Sequence, residues 1–245
     1  SHSGLVEEAL EIYQAMEYRW GIIANEQHTT CMIDVLGRFG RLDEAEKMLN
    51  RMKGIYLPAI FALLGACKTH LDVARAERLF KEVTKHEATH ATPYILMSNI
   101  YDAIGKRELS DQIRRLMDEK GIKKIAGKTW VEVHGQVHTF LSDDAFHPKI
   151  VQIRQYFDEL IQRMKQIGYI PDKRWVRADV VDKEKSVCLH SEKLAMAYAI
   201  MESAQDKTIT IYKNLRVCTD CHEATKFMAK VTNREIFVRD CNRYH

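Results

Sequence analysis

Proline and glycine are scarce, 4 and 11 of 245 residues, too few for an all-β protein built on many tight turns. No run approaches the roughly 18 uninterrupted apolar residues of a membrane-crossing helix, which excludes a helical membrane span. Six cysteines (Cys31, Cys67, Cys188, Cys218, Cys221 and Cys241) are too sparse and too unevenly spaced for a disulfide framework. There is no excess of one charge: 37 basic residues face 34 acidic ones, which excludes a histone-like protein. Over residues 1–126 the two signs balance at 18 each, so the whole +3 lies in residues 127–245. That is too weak to mark a polyanion partner, which local clusters would do. Ser1 stands where an initiating Met would, no leader-like stretch follows, and the sequence stops at Tyr244-His245; a piece of a longer protein is expected. What remains is 46% apolar and 29% charged, the composition of folded domains, with length for one large domain or two modest ones.

The first half repeats itself. Gly4-Leu-Val-Glu-Glu-Ala9 resembles Gly40-Arg-Leu-Asp-Glu-Ala45; Leu71-Asp-Val-Ala-Arg-Ala76 and Gly105-Lys-Arg-Glu-Leu-Ser110 follow, at steps of 36, 31 and 34 residues. Three residues past each anchor, Ile12, Met48, Leu79 and Ile113 fall in register. The unit reads as helix, turn, helix. It cannot bury its apolar face alone, so neighbours must stack into a solenoid. Such a period fits tetratricopeptide repeats, which bind proteins, and pentatricopeptide repeats, which bind single-stranded RNA. Cys31-Met-Ile-Asp-Val-Leu-Gly-Arg-Phe-Gly-Arg-Leu-Asp-Glu-Ala45 resembles a plant pentatricopeptide repeat closely. Leu63-Leu-Gly-Ala-Cys67 and Leu96-Met-Ser-Asn-Ile-Tyr101 resemble the E repeats that close plant RNA-editing arrays.

Near Gly127 the periodicity switches from helical to alternating. Trp130–Phe140 predicts two strands around His134-Gly135-Gln136. Pro148 opens a helix that Gly168 ends, and residues 172–186 are polar and predict a surface loop. A helix over 190–200, a strand over 208–212, a helix over 218–231 and a strand over 235–239 complete an α/β layer. The expected fold is therefore α plus α/β: helical repeats over 1–126, then a domain over 127–245 with a central sheet flanked by helices.

His190-Ser191-Glu192 and Cys218-Thr-Asp-Cys221 each open a predicted helix. One imidazole and two thiolates suit zinc, and three protein ligands leave a fourth position open. Helix N-termini favour the thiolate anion. Glu192, two residues past His190, is placed to exchange protons beside the metal. His-x-Glu followed by Cys-x-x-Cys is the pattern of zinc nucleobase deaminases, in which an activated water attacks C4 of cytosine and the glutamate serves N3 and the departing amine. Val217 precedes Cys218 where that pattern usually has proline. The bland alternative is a closed structural zinc site with His222 as fourth donor.

Several stretches match one family. Trp130–Phe140, Gly168-Tyr-Ile-Pro-Asp172, His190-Ser-Glu-Lys-Leu-Ala195, Lys213-Asn-Leu-Arg-Val-Cys218 and Arg239-Asp-Cys-Asn-Arg-Tyr-His245 resemble the DYW domain of plant organellar RNA-editing factors. The resemblance, repeats included, runs the length of the chain. It implies zinc-dependent C-to-U deamination of single-stranded chloroplast or mitochondrial RNA, with accessory editing proteins as partners. Carried over residue by residue, His190, Cys218 and Cys221 hold catalytic zinc and Glu192 is the acid/base. Residues 202–216 resemble the family's gating insertion, which can cover the site. The family's terminal Cys-x-Cys and Asp-Tyr-Trp are absent here, so of its second zinc site only His222 and His245 would remain. Cys241 stands where the family has a small residue, and a buried thiol is expected there.

Trp20, Trp130 and Trp175 are expected in cores rather than as base-stacking platforms, and His134 and His138 as ordinary strand histidines. Arg114, Arg115, Lys120, Lys123 and Lys124 form a basic run that either guides RNA phosphates or lies solvated on a helix face. The alternative to an enzyme is an RNA- or protein-binding repeat module whose deaminase-like end holds a structural zinc and recruits the catalyst. A metal-dependent nuclease is disfavoured, because no carboxylate cluster for Mg²⁺ is visible.

Overall fold

The computed structural model describes residues 6–174, 176, 180–241 and 244. These fall into two compact units, one running to Lys124 and the other starting at Ile125.

The first unit is a stack of seven helices: α1 (Val6–Trp20), α2 (Glu26–Arg38), α3 (Leu42–Asn50), α4 (Leu57–His70), α5 (Val73–His86), α6 (Ala91–Ala103) and α7 (Arg107–Glu119). Local chemistry sets their ends. Asn25 caps α2 by accepting from the N–H groups of Gln27 and His28 at 3.0 Å each, and His28 Nδ1 accepts the Asn25 N–H at 3.2 Å. This is a capping box with histidine in the position glutamate usually takes. Pro58 sits in the first turn of α4, where its missing N–H costs nothing. Ile33, Leu36, Ala45, Leu63, Cys67, Leu79 and Ile100 form the buried seam. Of the four residues in repeat register, Leu79 is buried and Met48 and Ile113 pack against the seam, whereas Ile12 is exposed on α1.

The turn glycines Gly40 and Gly105 adopt φ of 76° and 78°, and the equivalent residue of the intervening repeat, Leu71, adopts φ of 56°. A side chain in the left-handed region costs about 1–2 kcal/mol, which glycine escapes at the expense of extra chain entropy. Leu71→Gly is therefore expected to raise stability by up to about 1 kcal/mol. A thermal melt checks this, and a lower midpoint would contradict it.

The second unit is built on a four-stranded sheet of order β2-β1-β3-β4. Its elements are β1 (Lys128–Val133), β2 (Gln136–Leu141), α8 (Ile150–Gln166), α9 (Lys183–Cys188), α10 (Ser191–Glu202), β3 (Ile209–Lys213), α11 (Thr219–Thr232) and β4 (Ile236–Arg239). β1 runs antiparallel to both β2 and β3, while β3 and β4 are parallel and joined through α11. His134 and Gly135 both take positive φ, 52° and 73°, the two-residue turn whose twist suits a hairpin. Thr129, Val131 and Val133 of β1 and Ile209, Ile211 and Lys213 of β3 alternate inward. α10 packs across β1, β2 and β3, with α8 and α11 beside it. Phe140, Phe157, Leu160, Leu194, Ile211 and Met228 fill the space between.

Five expectations need correction or limits. Residues 183–188 form α9 rather than loop, capped by Asp182, whose side chain accepts the Lys185 N–H at 2.9 Å. Trp20 is 52% exposed at the end of α1, with the Arg19 guanidinium over its ring, so it is not core. Cys241 is exposed, not buried. Trp175 lies outside the described residues, and Trp130 is half-buried on β1.

Candidate metal centre

His190 is the N-cap of α10 and Cys218 the N-cap of α11, both in extended backbone that turns their side chains off the helix starts. Cys221 follows in the first turn of α11. His190 Nδ1 lies 3.5 Å from Cys218 Sγ and 3.4 Å from Cys221 Sγ, and Cys218 Sγ accepts the Cys221 N–H at 3.3 Å. One ligand atom from each of the three falls within 4.8 Å of the others. This is the sole such metal-ligating group among the described residues, and His222, half-buried on α11, does not belong to it. His245 lies outside the described residues.

Hydrogen bonding from Cys221 and the neighbouring His190 hold the Cys218 thiol well below its usual range, while burial pushes Cys221 well above it. Two sulfurs and one imidazole nitrogen converging at two helix N-termini match the chemistry of a zinc set with one open position. Val217 has its own explanation: its N–H donates to the buried Asp240 at 3.2 Å, a bond that proline could not make.

Glu192 is 2% exposed and is not part of that three-residue group. Its Oε2 accepts from Lys213 Nζ at 2.7 Å and from Ser191 Oγ at 3.1 Å. Burial opposes ionisation, but the Lys213 ammonium outweighs it and holds the carboxyl below its usual range.

Behind the ligands lies a second buried cluster that motif reading missed. Lys193, with no exposed surface, donates to Asp220, to Tyr169 OH at 3.1 Å and to Val187 O at 3.1 Å, so all three N–H groups are used. Asp220 also accepts the Tyr169 hydroxyl at 3.0 Å and the Asp172 N–H at 2.8 Å. Lys193 lies one turn past His190, and Asp220 lies between the cysteines. This ion pair thus ties the two ligand-bearing helix starts together, with Tyr169 and Asp172 as a strap. Burial would lower the Lys193 pKa, but Cys221, Asp220 and Tyr169 hold it above its usual value.

The remaining candidates divide. Arg114 pairs with Asp102 at 2.5 Å, and Lys120 donates to Tyr94 OH at 3.0 Å, so part of the basic run is engaged internally; Lys123 and Lys124 are exposed. Of residues 202–216, residues 209–213 form β3, an interior strand of the sheet. His134 is exposed in the hairpin turn.

His138 belongs to a chain of bonds. The Lys149 N–H donates to His147 Nδ1 at 3.2 Å, His147 Nε2 meets His138 Nδ1 at 3.1 Å, and His138 Nε2 meets Tyr198 OH at 3.1 Å. An amide N–H can only donate, so in the neutral pair Nε2 of each histidine carries the proton. Burial and the adjacent His138 lower the His147 pKa, against Asp144 and Glu202, which raise it; Lys149 adds to the lowering. The unfolded chain therefore binds this proton more tightly. The stability involved is whole above about pH 6.5, the unfolded value, and is lost as pH falls from there through the folded pKa. The melting temperature of His147→Phe is expected to fall less than that of the wild type between pH 7.5 and 5.5. Equal slopes would contradict this.

The sequence comparisons agree with these motifs. Residues 168–245 match the DYW family of nucleic acid deaminases, residues 137–164 the E+ motif, residues 70–132 the E motif and residues 28–56 a PPR repeat. All of the chain aligns with pentatricopeptide repeat-containing proteins of Arabidopsis thaliana. It is 38% identical to a chloroplastic one, covering 28% of its length, and 38% identical to chloroplastic CRR2, covering 38%. A mitochondrial one is 36% identical, with 40% of its length covered. The chain therefore spans well under half the length of these relatives, and it belongs to the pentatricopeptide-repeat proteins that carry E, E+ and DYW deaminase motifs.

Proposed function

We propose that the chain is the catalytic end of an RNA-editing factor, converting cytidine to uridine in single-stranded RNA of chloroplasts or mitochondria. The observation that carries this reading is the convergence of His190 Nδ1, Cys218 Sγ and Cys221 Sγ within 4.8 Å, with the buried Glu192 carboxylate two residues from His190. The donor set fits zinc, which when bound there supplies the Lewis acidity that makes a water nucleophilic near neutral pH. Glu192 then takes the proton released as water attacks C4, returns it to N3, and serves the departing amino group; cytidine and water become uridine and ammonia. Lys193 and Asp220 hold the two ligand-bearing turns in place meanwhile. Single-stranded RNA fits, because a base must leave its pairing to enter a site of this kind. The PPR and E motifs supply the helical surface that meets it, and the chloroplastic and mitochondrial names of relatives support the choice of organelles. No described helix is long and apolar enough to cross a membrane.

The test is product analysis. Zinc-loaded protein is incubated with a pool of single-stranded RNAs, each carrying one cytidine in randomised flanks, and the strands are sized and sequenced. Full-length strands with uridine at that position, absent after chelation, are expected. Bound RNA with zinc present and no conversion would overturn the reading in favour of a recruiting module, and shortened strands would replace it with hydrolytic cleavage.

A further inference from the structure

Lys213 is the last residue of an interior strand, paired with Thr129 of β1, and it points to the side that Ile209 and Ile211 bury. An ammonium there costs several kcal/mol unless it is matched, and even a matched buried pair is a weak source of stability. The fold nevertheless makes room for it. A Cβ on Gly127 would lie 3.3 Å from Lys213 Nζ, a tight contact that glycine avoids. The next residue, Asn214, fastens that end of the strand: its Oδ1 accepts the Lys128 N–H at 2.8 Å and its Nδ2 donates to Ala126 O at 3.0 Å. Thus anchored, Lys213 Nζ reaches Glu192 Oε2 at 2.7 Å and Ser191 Oγ at 3.1 Å. Ser191 Oγ donates to the same Glu192 oxygen and lies 2.9 Å from Thr129 Oγ1.

We propose that Lys213 is a positioning residue for deamination: with Ser191 it fixes Oε2 of Glu192, so that the other carboxylate oxygen exchanges protons with water and the cytosine ring. The proposal rests on the reading of Glu192 as the proton carrier. Two donors on one oxygen set the rotation of the carboxylate. A general base held within the narrow range that proton transfer requires loses less to misorientation. Lys213 touches no reacting atom and acts only through Glu192.

The experiment compares zinc-loaded wild type, Lys213→Met, Lys213→Arg, Glu192→Ala and the double variant Lys213→Met/Glu192→Ala on one converted RNA from the pool. Rate at saturating RNA, half-saturating RNA concentration and zinc per chain are measured. Lys213→Met is expected to lower the saturating rate by about ten- to a hundredfold, with half-saturation within about twofold and zinc unchanged. Lys213→Arg recovers part of the rate, and the double variant is no slower than Glu192→Ala alone. Without substrate, Glu192→Gln on the Lys213→Met background recovers part of the lost melting temperature, because it removes the unmatched buried charge. A full or raised rate in zinc-bearing Lys213→Met, beside a slow Glu192→Ala, would overturn the role of Lys213 alone. A full rate in Glu192→Ala would overturn the functional reading first. If Lys213→Met does not fold, Lys213→Arg and Ser191→Ala decide: both must slow the reaction with zinc retained, and full rates in both would overturn the proposal.

Discussion

Glu192→Ala is expected to slow cytidine conversion by about a hundred- to ten-thousandfold, the usual contribution of a general acid/base, while zinc content stays at the wild-type level. The separation of the two readouts follows from geometry. Glu192 stands outside the group formed by His190, Cys218 and Cys221, so its removal takes no ligand from the metal. It does leave the buried Lys213 ammonium without its carboxylate partner, so some loss of stability accompanies the loss of rate. Comparison with Glu192→Gln, which keeps the shape and a hydrogen-bond acceptor, separates the two effects. Both variants should be slow, with Glu192→Gln melting closer to the wild type. Loss of zinc together with activity in both would show instead that Glu192 supports the metal rather than the proton transfer.

The second large effect is on stability. Lys193→Met is expected to destabilise the protein by about 3–5 kcal/mol, because it strands the Asp220 carboxylate in the interior. Asp220 would retain the Tyr169 hydroxyl and the Asp172 N–H, which hydrogen-bond the charge without neutralising it. Removing both charges should cost less than removing one. In Lys193→Met/Asp220→Leu no buried charge is left over, and well-packed apolar replacements of buried ion pairs are often neutral. Denaturant titration of the single and double variants measures this. A double variant as unstable as the sum of the singles would show that the pair contributes through its bonds rather than by cancelling charge. A second consequence concerns the metal. With Lys193 and Asp220 no longer joining the starts of α10 and α11, zinc should bind more weakly to the double variant even where folding is restored.

The helical repeats were legible in the sequence because their signals are local: turn glycines at Gly40 and Gly105, and apolar residues such as Met48 and Leu79 at fixed offsets. Leu71 shows the limit of that logic, since it takes a glycine conformation without being glycine. The convergence of the three candidate ligands was legible for a related reason. His190, Cys218 and Cys221 belong to two short motifs, each opening a helix, and helix starts present their first side chains in a common way. What supports those ligands was hidden. Lys213 and Glu192 meet through strand-to-helix packing at a sequence separation of 21, and a lysine ending an alternating strand reads as solvent-facing. Lys193 and Asp220 lie inside the quoted motifs, yet only the folded arrangement shows that they face each other with no access to water. The polar composition of residues 172–186 concealed α9, whose turn depends on an aspartate cap rather than on an apolar stripe. Cys241 and Trp20 were misplaced because residue type is a weak guide to exposure near an element end.

Zinc per chain, measured across single-residue variants, tests the proposed open three-ligand zinc centre most directly. His190→Ala, Cys218→Ser and Cys221→Ser should each lose the metal, while His222→Ala should retain zinc at the remaining three-residue set and keep its conversion of cytidine. Loss of that zinc in His222→Ala would contradict the account, because the site would then be a closed four-ligand structural centre with no position left for water.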